Sequence, residues 1–215
     1  MSNPTTPASI GPGEFFPVVG VGPHEKPWPE GAQYDSELLL NGDRRNVLDH
    51  YRYWTVEAIV ADLDSKRHKL QIAIENWQHD LNIGSIVRTA NAFNVSGVHI
   101  VGKRDWNKRG AMVTDRYLTV HHHPTVEDFA VWCKENELPI IGIDNVPGSK
   151  QLESAQLPEK CVLLFGQEGA GMSDEGIAIC EVLYEINQYG STRSMNASAA
   201  GAIAMYHWAL QHLPR

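Results

Sequence analysis

The chain has 215 residues, 42% of them hydrophobic, which suits one α/β domain plus an extension and excludes wholesale disorder. No run approaches the roughly 18 apolar residues of a membrane span, and the first ten residues lack the basic start and apolar run of a secretory signal. A net charge of −8 argues weakly against a nucleic-acid partner, yet it averages over two local basic clusters, Lys66, Arg67 and Lys69, and Lys103, Arg104, Lys108, Arg109 and Arg116.

Residues 1–33 hold seven of the twelve prolines and many glycines, which rules out helix and inner strand and predicts an extended arm. Phe15, Phe16 and Trp28 give that arm something to bury. From Gly42 to Ser65, Leu48, Tyr51, Trp54, Ile59 and Leu63 recur at near-helical intervals. From Lys69 onward strand and helix alternate. Short apolar runs read as buried strands at 70–74, 97–101, 140–143, 162–165 and 183–186. Helical patterns lie between several of them, at 83–93, 126–135, 174–180 and 195–213. Thr125, followed by Asp128, reads as a capped helix start. This order predicts an α/β fold, a mostly parallel sheet flanked by helices.

Three stretches carry chemistry. In Asp80-Leu-Asn-Ile-Gly-Ser-Ile-Val-Arg-Thr-Ala, a turn after a strand enters a helix, and Arg88 stands ready for a phosphate or another anion, or is simply a surface arginine. In Gly166-Gln-Glu-Gly-Ala-Gly-Met-Ser, glycines permit a tight turn and close approach of a ligand. Its spacing is not a dinucleotide fingerprint, it lacks the lysine of a phosphate loop, and Glu168 would repel a pyrophosphate but tolerate a cation such as a sulfonium. In Ser194-Met-Asn-Ala-Ser198, hydroxyls and amides open a helix full of small residues, and they can cap it or bind a ligand.

As a set, in this order, the stretches resemble the three motifs of the SPOUT-class RNA 2′-O-ribose methyltransferases of the SpoU or TrmH type. The resemblance covers about 70–212, with Met195 in place of a leucine in the third motif. It implies an α/β sheet ending in a C-terminal trefoil knot, which periodicity could not reveal. It also implies S-adenosyl-L-methionine as cofactor, tRNA or rRNA as partner, a homodimer through the knot region, and a site that takes residues from both chains. Carried over residue by residue, the catalytic set is Asn82, Arg88, Glu168, Ser194 and Asn196. The cofactor set is Gly142, Ile143, Asp144, Gly166, Gly169, Ile186, Met195 and Ser198. A guanidinium stays protonated at neutral pH, so the role that suits Arg88 is a phosphate clamp rather than a literal base. A non-catalytic RNA-binding homologue would keep the fold, but all five catalytic positions are filled here. Two departures leave loop shape and cofactor contacts open: Gln167 stands where the family commonly has asparagine, and Asn187 where it has proline.

The expected organisation is an arm over 1–41, a helical extension over 42–68 and the SPOUT domain over 69–215. The Pro-rich arm does not resemble the small RNA-binding module that some members carry, so grip on RNA should come from the helix near 45–53, the basic stretch 103–116 and the partner subunit. Trp106 could stack on a base or anchor its loop. His121, His122 and His123 would alternate across a strand with no Cys or second His pair nearby, so no metal is expected. Cys133, Cys161 and Cys180 lack close spacing and read as buried thiols in a reducing cytoplasm.

Overall fold

The structure is a computed structural model that describes residues 20–78 and 82–214. Phe15, Phe16 and the rest of residues 1–19 of the arm lie outside the described residues. Packing divides the chain into two units, Met1–Ile59 and Val60–Arg215.

The first unit is organised by one buried carboxylate. Helix α1 (Ser36–Asn41) starts at Asp35, which accepts from the N–H of Glu37 at 2.8 Å and of Leu38 at 3.3 Å. Just beyond it, Asp43 is fully buried. It accepts from Arg45 Nε at 2.9 Å and Nη2 at 2.7 Å, and from the Tyr53 N–H at 3.0 Å. Burial alone would raise its pKa, but these hydrogen bonds and the Arg45 charge outweigh it and hold the carboxyl below its usual range. Backbone tied to this carboxylate cannot also close helical turns. The segment expected to be helical from Gly42 is therefore loop, with a single 3₁₀ turn at Asp49–Tyr51, until α2 (Val56–Asp64). Arg45 also donates to Trp54 O, and Arg52 to Arg45 O, so these arginines hold the unit together. Antiparallel bridges join Val21 to Asp43 and Tyr34 to Trp54, which fold the described part of the arm back on its own unit.

The second unit alternates β1 (His68–Asn76), α3 (Asn82–Ala92), β2 (Val95–Gly102), β3 (Val120–His123), α4 (Val126–Glu135), β4 (Ile140–Ile143), β5 (Lys150–Gln151), β6 (Cys161–Phe165), α5 (Asp174–Ala178), β7 (Val182–Glu185) and α6 (Ala197–His212). The seven strands form one sheet in the order β3-β2-β1-β6-β4-β7-β5, and every pairing in it is parallel. Strand alternation sorts the core. Leu70, Ile72, Ile74, Leu163 and Phe165 face α3 and α6, where Ile86, Val87, Met205 and Trp208 meet them. Ala73, Val162 and Leu164 face the other way, toward Phe129 and Cys133 of α4. Each large aliphatic side chain buried this way stabilises by ~1.5–3 kcal/mol.

The strand order matters for the site. The chain first steps outward through β1, β2 and β3, then crosses to the other side, and β6 returns to lie between β1 and β4. Such a reversal opens a crevice at the carboxyl ends of the central strands.

Candidate active site

Loops leaving β4, β6 and β7 wall a cleft of about 680 Å³ at that crevice. The loop after β6 is held in a tight turn, with Gln167 and Gly171 exchanging backbone hydrogen bonds of 3.1 Å each. Gly166 is required there, because a Cβ would sit 2.2 Å from Gly171 C and Met172 N. Asp144, at the end of β4, pins the same turn by accepting from the Met172 N–H at 2.7 Å. Gln167 is buried, and its side-chain oxygen accepts from the Trp77 N–H at 3.1 Å, tying the turn to the end of β1. Across the cleft, Asn145 Nδ2 donates to the Arg193 carbonyl.

At one end of the cleft the three motif stretches meet on a single carboxylate oxygen. Glu168 Oε2 accepts from Asn82 Nδ2 at 2.9 Å, Asn196 Nδ2 at 3.3 Å and the Ala197 N–H at 3.1 Å. Asn196 Nδ2 also donates to Asn82 Oδ1 at 2.8 Å. The oxygen sits at the N-terminus of α6, where the helix dipole favours an anion. Asn196 caps that helix, accepting from the Ser198 N–H at 3.0 Å and Ser198 Oγ at 2.5 Å.

Of the catalytic set, Asn82, Glu168 and Asn196 are thus joined directly, and Ser194 lines the same cleft. Arg88 stands apart, exposed and outside the lining. Six residues beyond Asn82, it lies about 240° further around α3. Of the cofactor set, Ile143, Asp144, Gly166, Gly169, Ile186 and Met195 line the cleft. Gly142 does not; its Cα faces Leu183 and Cys180, where a Cβ would lie 2.5 Å and 2.8 Å from their side chains. Ser198 is turned to its cap. The sequence reading missed Arg193, a cation lining the cleft, although it directly precedes the third motif. It also missed Gln188, Met172 and Ala200 in the lining. The two departures have local roles. Gln167 supplies the bond to Trp77, and Asn187 donates its N–H to Glu153 at 3.3 Å, which proline could not do.

Other expected groups lie outside the cleft. Arg67 bonds Asn94 and the Tyr117 carbonyl, Lys66 pairs with Asp62 and Lys69 with Glu159, so that basic cluster is engaged within the fold. Cys133 and Cys161 are buried and Cys180 half-buried, and burial pushes each thiol up to about 12. Among the described residues no cluster of His, Cys, Asp and Glu is arranged to hold a metal ion, and no helix is long and apolar enough to cross a membrane.

The SpoU rRNA Methylase family profile matches residues 69–206, well over half of the chain and all of the cleft. The chain belongs to this family. A tRNA (guanosine(18)-2′-O)-methyltransferase of Borreliella burgdorferi is 25% identical over 147 residues, 67% of each chain. The fold of this SpoU-family chain is shared by an A. aeolicus TrmH/SpoU tRNA modifying enzyme, with a TM-score of 0.64 at 21% identity over 73% of this chain and 81% of that one. It is shared too by the SpoU methyltransferase AviRb of Streptomyces viridochromogenes in complex with the cofactor AdoMet, with a TM-score of 0.62 at 22% identity over 71% and 61%. The chain spans 67% and 64% of its B. burgdorferi and Escherichia coli relatives, and 12% of the Saccharomyces cerevisiae one.

Proposed function

We propose that this SpoU-family chain transfers a methyl group from S-adenosyl-L-methionine to a ribose 2′-hydroxyl of tRNA or rRNA. The observation that carries this reading is the convergence of Asn82, Glu168 and Asn196, from three distant motifs, at the mouth of a glycine-lined cleft. The cleft fits the cofactor. Gly166 and Gly169 let a ligand approach the backbone, Phe165, Met172 and Ile186 offer apolar surface, and Asp144 and Glu168 present carboxylates toward a cation. When bound, the cofactor supplies an electrophilic methyl on a sulfonium, whose thioether leaves with the bonding pair. The cofactor residues are Ile143, Asp144, Gly166, Gly169, Ile186 and Met195.

The protein's part is alignment and charge. Orientation of the reacting groups contributes ~7–11 kcal/mol in well-aligned reactions. Glu168 is a clasp, since its Oε2 already accepts three donors, and it fixes the side chains of Asn82 and Asn196 against the ribose. Ser194 stands at the rim to bond the sugar or its phosphate. Arg88 clamps an RNA phosphate and favours the alkoxide that forms as the hydroxyl proton passes to solvent water.

The working form is a homodimer in which the C-terminal part threads a trefoil knot. Ile203, Tyr206 and Leu210 support the dimer. They recur along one face of α6 and are 43%, 57% and 43% exposed, an apolar stripe suited to a second copy. Arg88, outside its own cleft, then completes the partner's site. The free, unreactive thiols suit a reducing cytoplasm.

The test is methyl transfer from radiolabelled S-adenosyl-L-methionine to total tRNA and to rRNA, with Arg88→Ala alongside. The expected product resists alkaline cleavage at one nucleotide and is lost in the variant. Cofactor binding without transfer to either RNA would instead favour a non-catalytic RNA-binding homologue.

A further inference from the structure

Within the basic stretch 103–116, the aromatic residue is not the group offered to a base. Trp106 is half-buried against the main core, with Lys108 Nζ 5.4 Å from its ring centroid, so it anchors the loop. The exposed apolar side chains are Met112 and Val113, at 60% and 55% exposure. They link two 3₁₀ turns, Lys108–Ala111 and Thr114–Tyr117, and both are left-handed, with φ of 47° and 66°. That conformation is uncommon for any residue but glycine and an outlier for a β-branched one. The surroundings impose it. Ala111 and Thr114 on either side are buried, Thr114 Oγ1 donates to Ala111 O at 2.7 Å, and a Cβ on Gly84 of α3 would lie 2.8 Å from Ala111 N. The knuckle is therefore rigid, and it projects apolar groups into water.

Its rim is cationic. Lys103, Arg104, Arg109 and Arg116 are exposed and make no ion pair among the described residues, while Lys108 pairs with Asp115 at 3.2 Å. Five cations against Asp105 and Asp115 give this stretch +3 within a chain of −8. Like charges disfavour a second copy of the same surface and favour a polyanion. The knuckle also adjoins the face of α3 that carries Arg88, because Gly84, against Ala111, and Arg88 are four residues apart on one helix face.

We infer that Met112 and Val113 form a wedge that contacts an unpaired nucleobase of the RNA, whose phosphates lie on Arg109 and Arg116. The inference rests on the RNA reading above and extends it to a second contact surface. The experiment compares Met112→Gly/Val113→Gly with Arg109→Ala/Arg116→Ala in filter binding of purified tRNA and of rRNA over a series of KCl concentrations. Glycine accepts positive φ, so the fold should persist, with melting temperature and S-adenosylhomocysteine affinity unchanged. The glycine variant should bind RNA about tenfold more weakly, through lost apolar burial against one base, with an unchanged salt slope. The arginine variant should lose roughly 1.5 from the slope of log affinity against log salt. Should the glycines lower the melting temperature, Met112→Asn/Val113→Asn repeats the comparison. RNA affinity unchanged in a folded knuckle variant overturns the wedge, as does a fall in sedimentation coefficient, which would assign the knuckle to a second copy. Intact RNA binding without methyl transfer by the wild type would sink the proposed activity and leave the wedge standing.

Discussion

His99 should make this fold sensitive to mild acid. It is fully buried in β2. Its Nε2 lies 2.6 Å from Gln71 Oε1 and its Nδ1 2.9 Å from His123 Nε2. The Gln71 oxygen only accepts, so the His99 proton sits on Nε2, and Nδ1 accepts from His123. A further proton on His99 would have to break that bond. The His121 ring stacks at 4.8 Å and Trp132 closes the site at 4.4 Å. Burial, and then the charges of His121 and His123, push the His99 pKa down to about 2. His121 and His123 move the same way by burial, with Asp128 of α4 pulling His123 back in part. An unfolded histidine takes up its proton near pH 6.5, while folded His99 stays neutral. Stability is therefore complete above that pH and falls as the pH drops below it, by ~1.4 kcal/mol per pH unit per histidine. Between pH 7.5 and 5.0 His99 alone should account for about 2 kcal/mol, in a window where most carboxylates are still ionised. Urea unfolding at the two pH values measures the loss, and His99→Gln should remove about that much of it. If the variant loses as much stability in acid as the wild type, the buried neutral histidine is not the cause.

Three further outcomes follow from the cleft and from α6. Glu168→Ala strips the acceptor from Asn82, Asn196 and the Ala197 N–H, and water can replace it at this exposed site; folding should weaken by less than about 1 kcal/mol. The kcat for methyl transfer should fall on the order of 100-fold through misalignment, with KM for RNA little changed. Gly166→Ala forces its Cβ into the Gly171–Met172 backbone, which should cost about 1–3 kcal/mol by thermal unfolding. It should also abolish calorimetric binding of S-adenosylhomocysteine at concentrations that saturate the wild type. Leu210→Arg places a charge in the α6 stripe and should yield monomers in sedimentation velocity, with loss of transfer activity; a variant that stays dimeric removes α6 from the interface.

The parts of the fold legible in the sequence are those where burial leaves a pattern. Strands β4 and β6 are covered on both faces, so they read as unbroken apolar runs, and the centre of β1, Leu70 to Ile74, as a run interrupted only by Gln71. Strand β5 is two exposed residues, Lys150 and Gln151, and leaves no such trace. The misread stretch after Gly42 had helical spacing, but Leu48 in it is 66% exposed, and Asp43 at its head claims the backbone by a contact that periodicity does not encode. The strand order was equally hidden, because inserting β6 between β1 and β4 joins residues some ninety positions apart. Asn82, Glu168 and Asn196 were visible as motif positions, whereas Arg193 belongs to no motif and enters the site through its place on the loop.

Glu75 shows why the motif residues alone do not make the site. A carboxylate inside an apolar strand is a signal that sequence reading could have caught, between Ile74 and Asn76 at the end of β1. It is fully buried, and it accepts from the Ser173 N–H at 2.8 Å and Ser173 Oγ at 2.5 Å. Gly176 leaves room for it, since a Cβ there would lie 2.6 Å from Glu75 Oε1. Glu75 and Gln167 therefore hold the turn after β6 from beneath, through the sheet, while Asp144 holds it from the side. A buried carboxylate held by such hydrogen bonds is costly to disturb, so the turn inherits the rigidity of the strands under it. The clasp on Glu168 needs that rigidity, because its three hydrogen bonds reach out from the same turn into an exposed site where water competes for every donor. Fold and site are thus fixed by one set of contacts at the strand ends. Arg88 and the Met112–Val113 knuckle, on the other side of α3, lie outside that set, so substitutions there should leave the cleft intact.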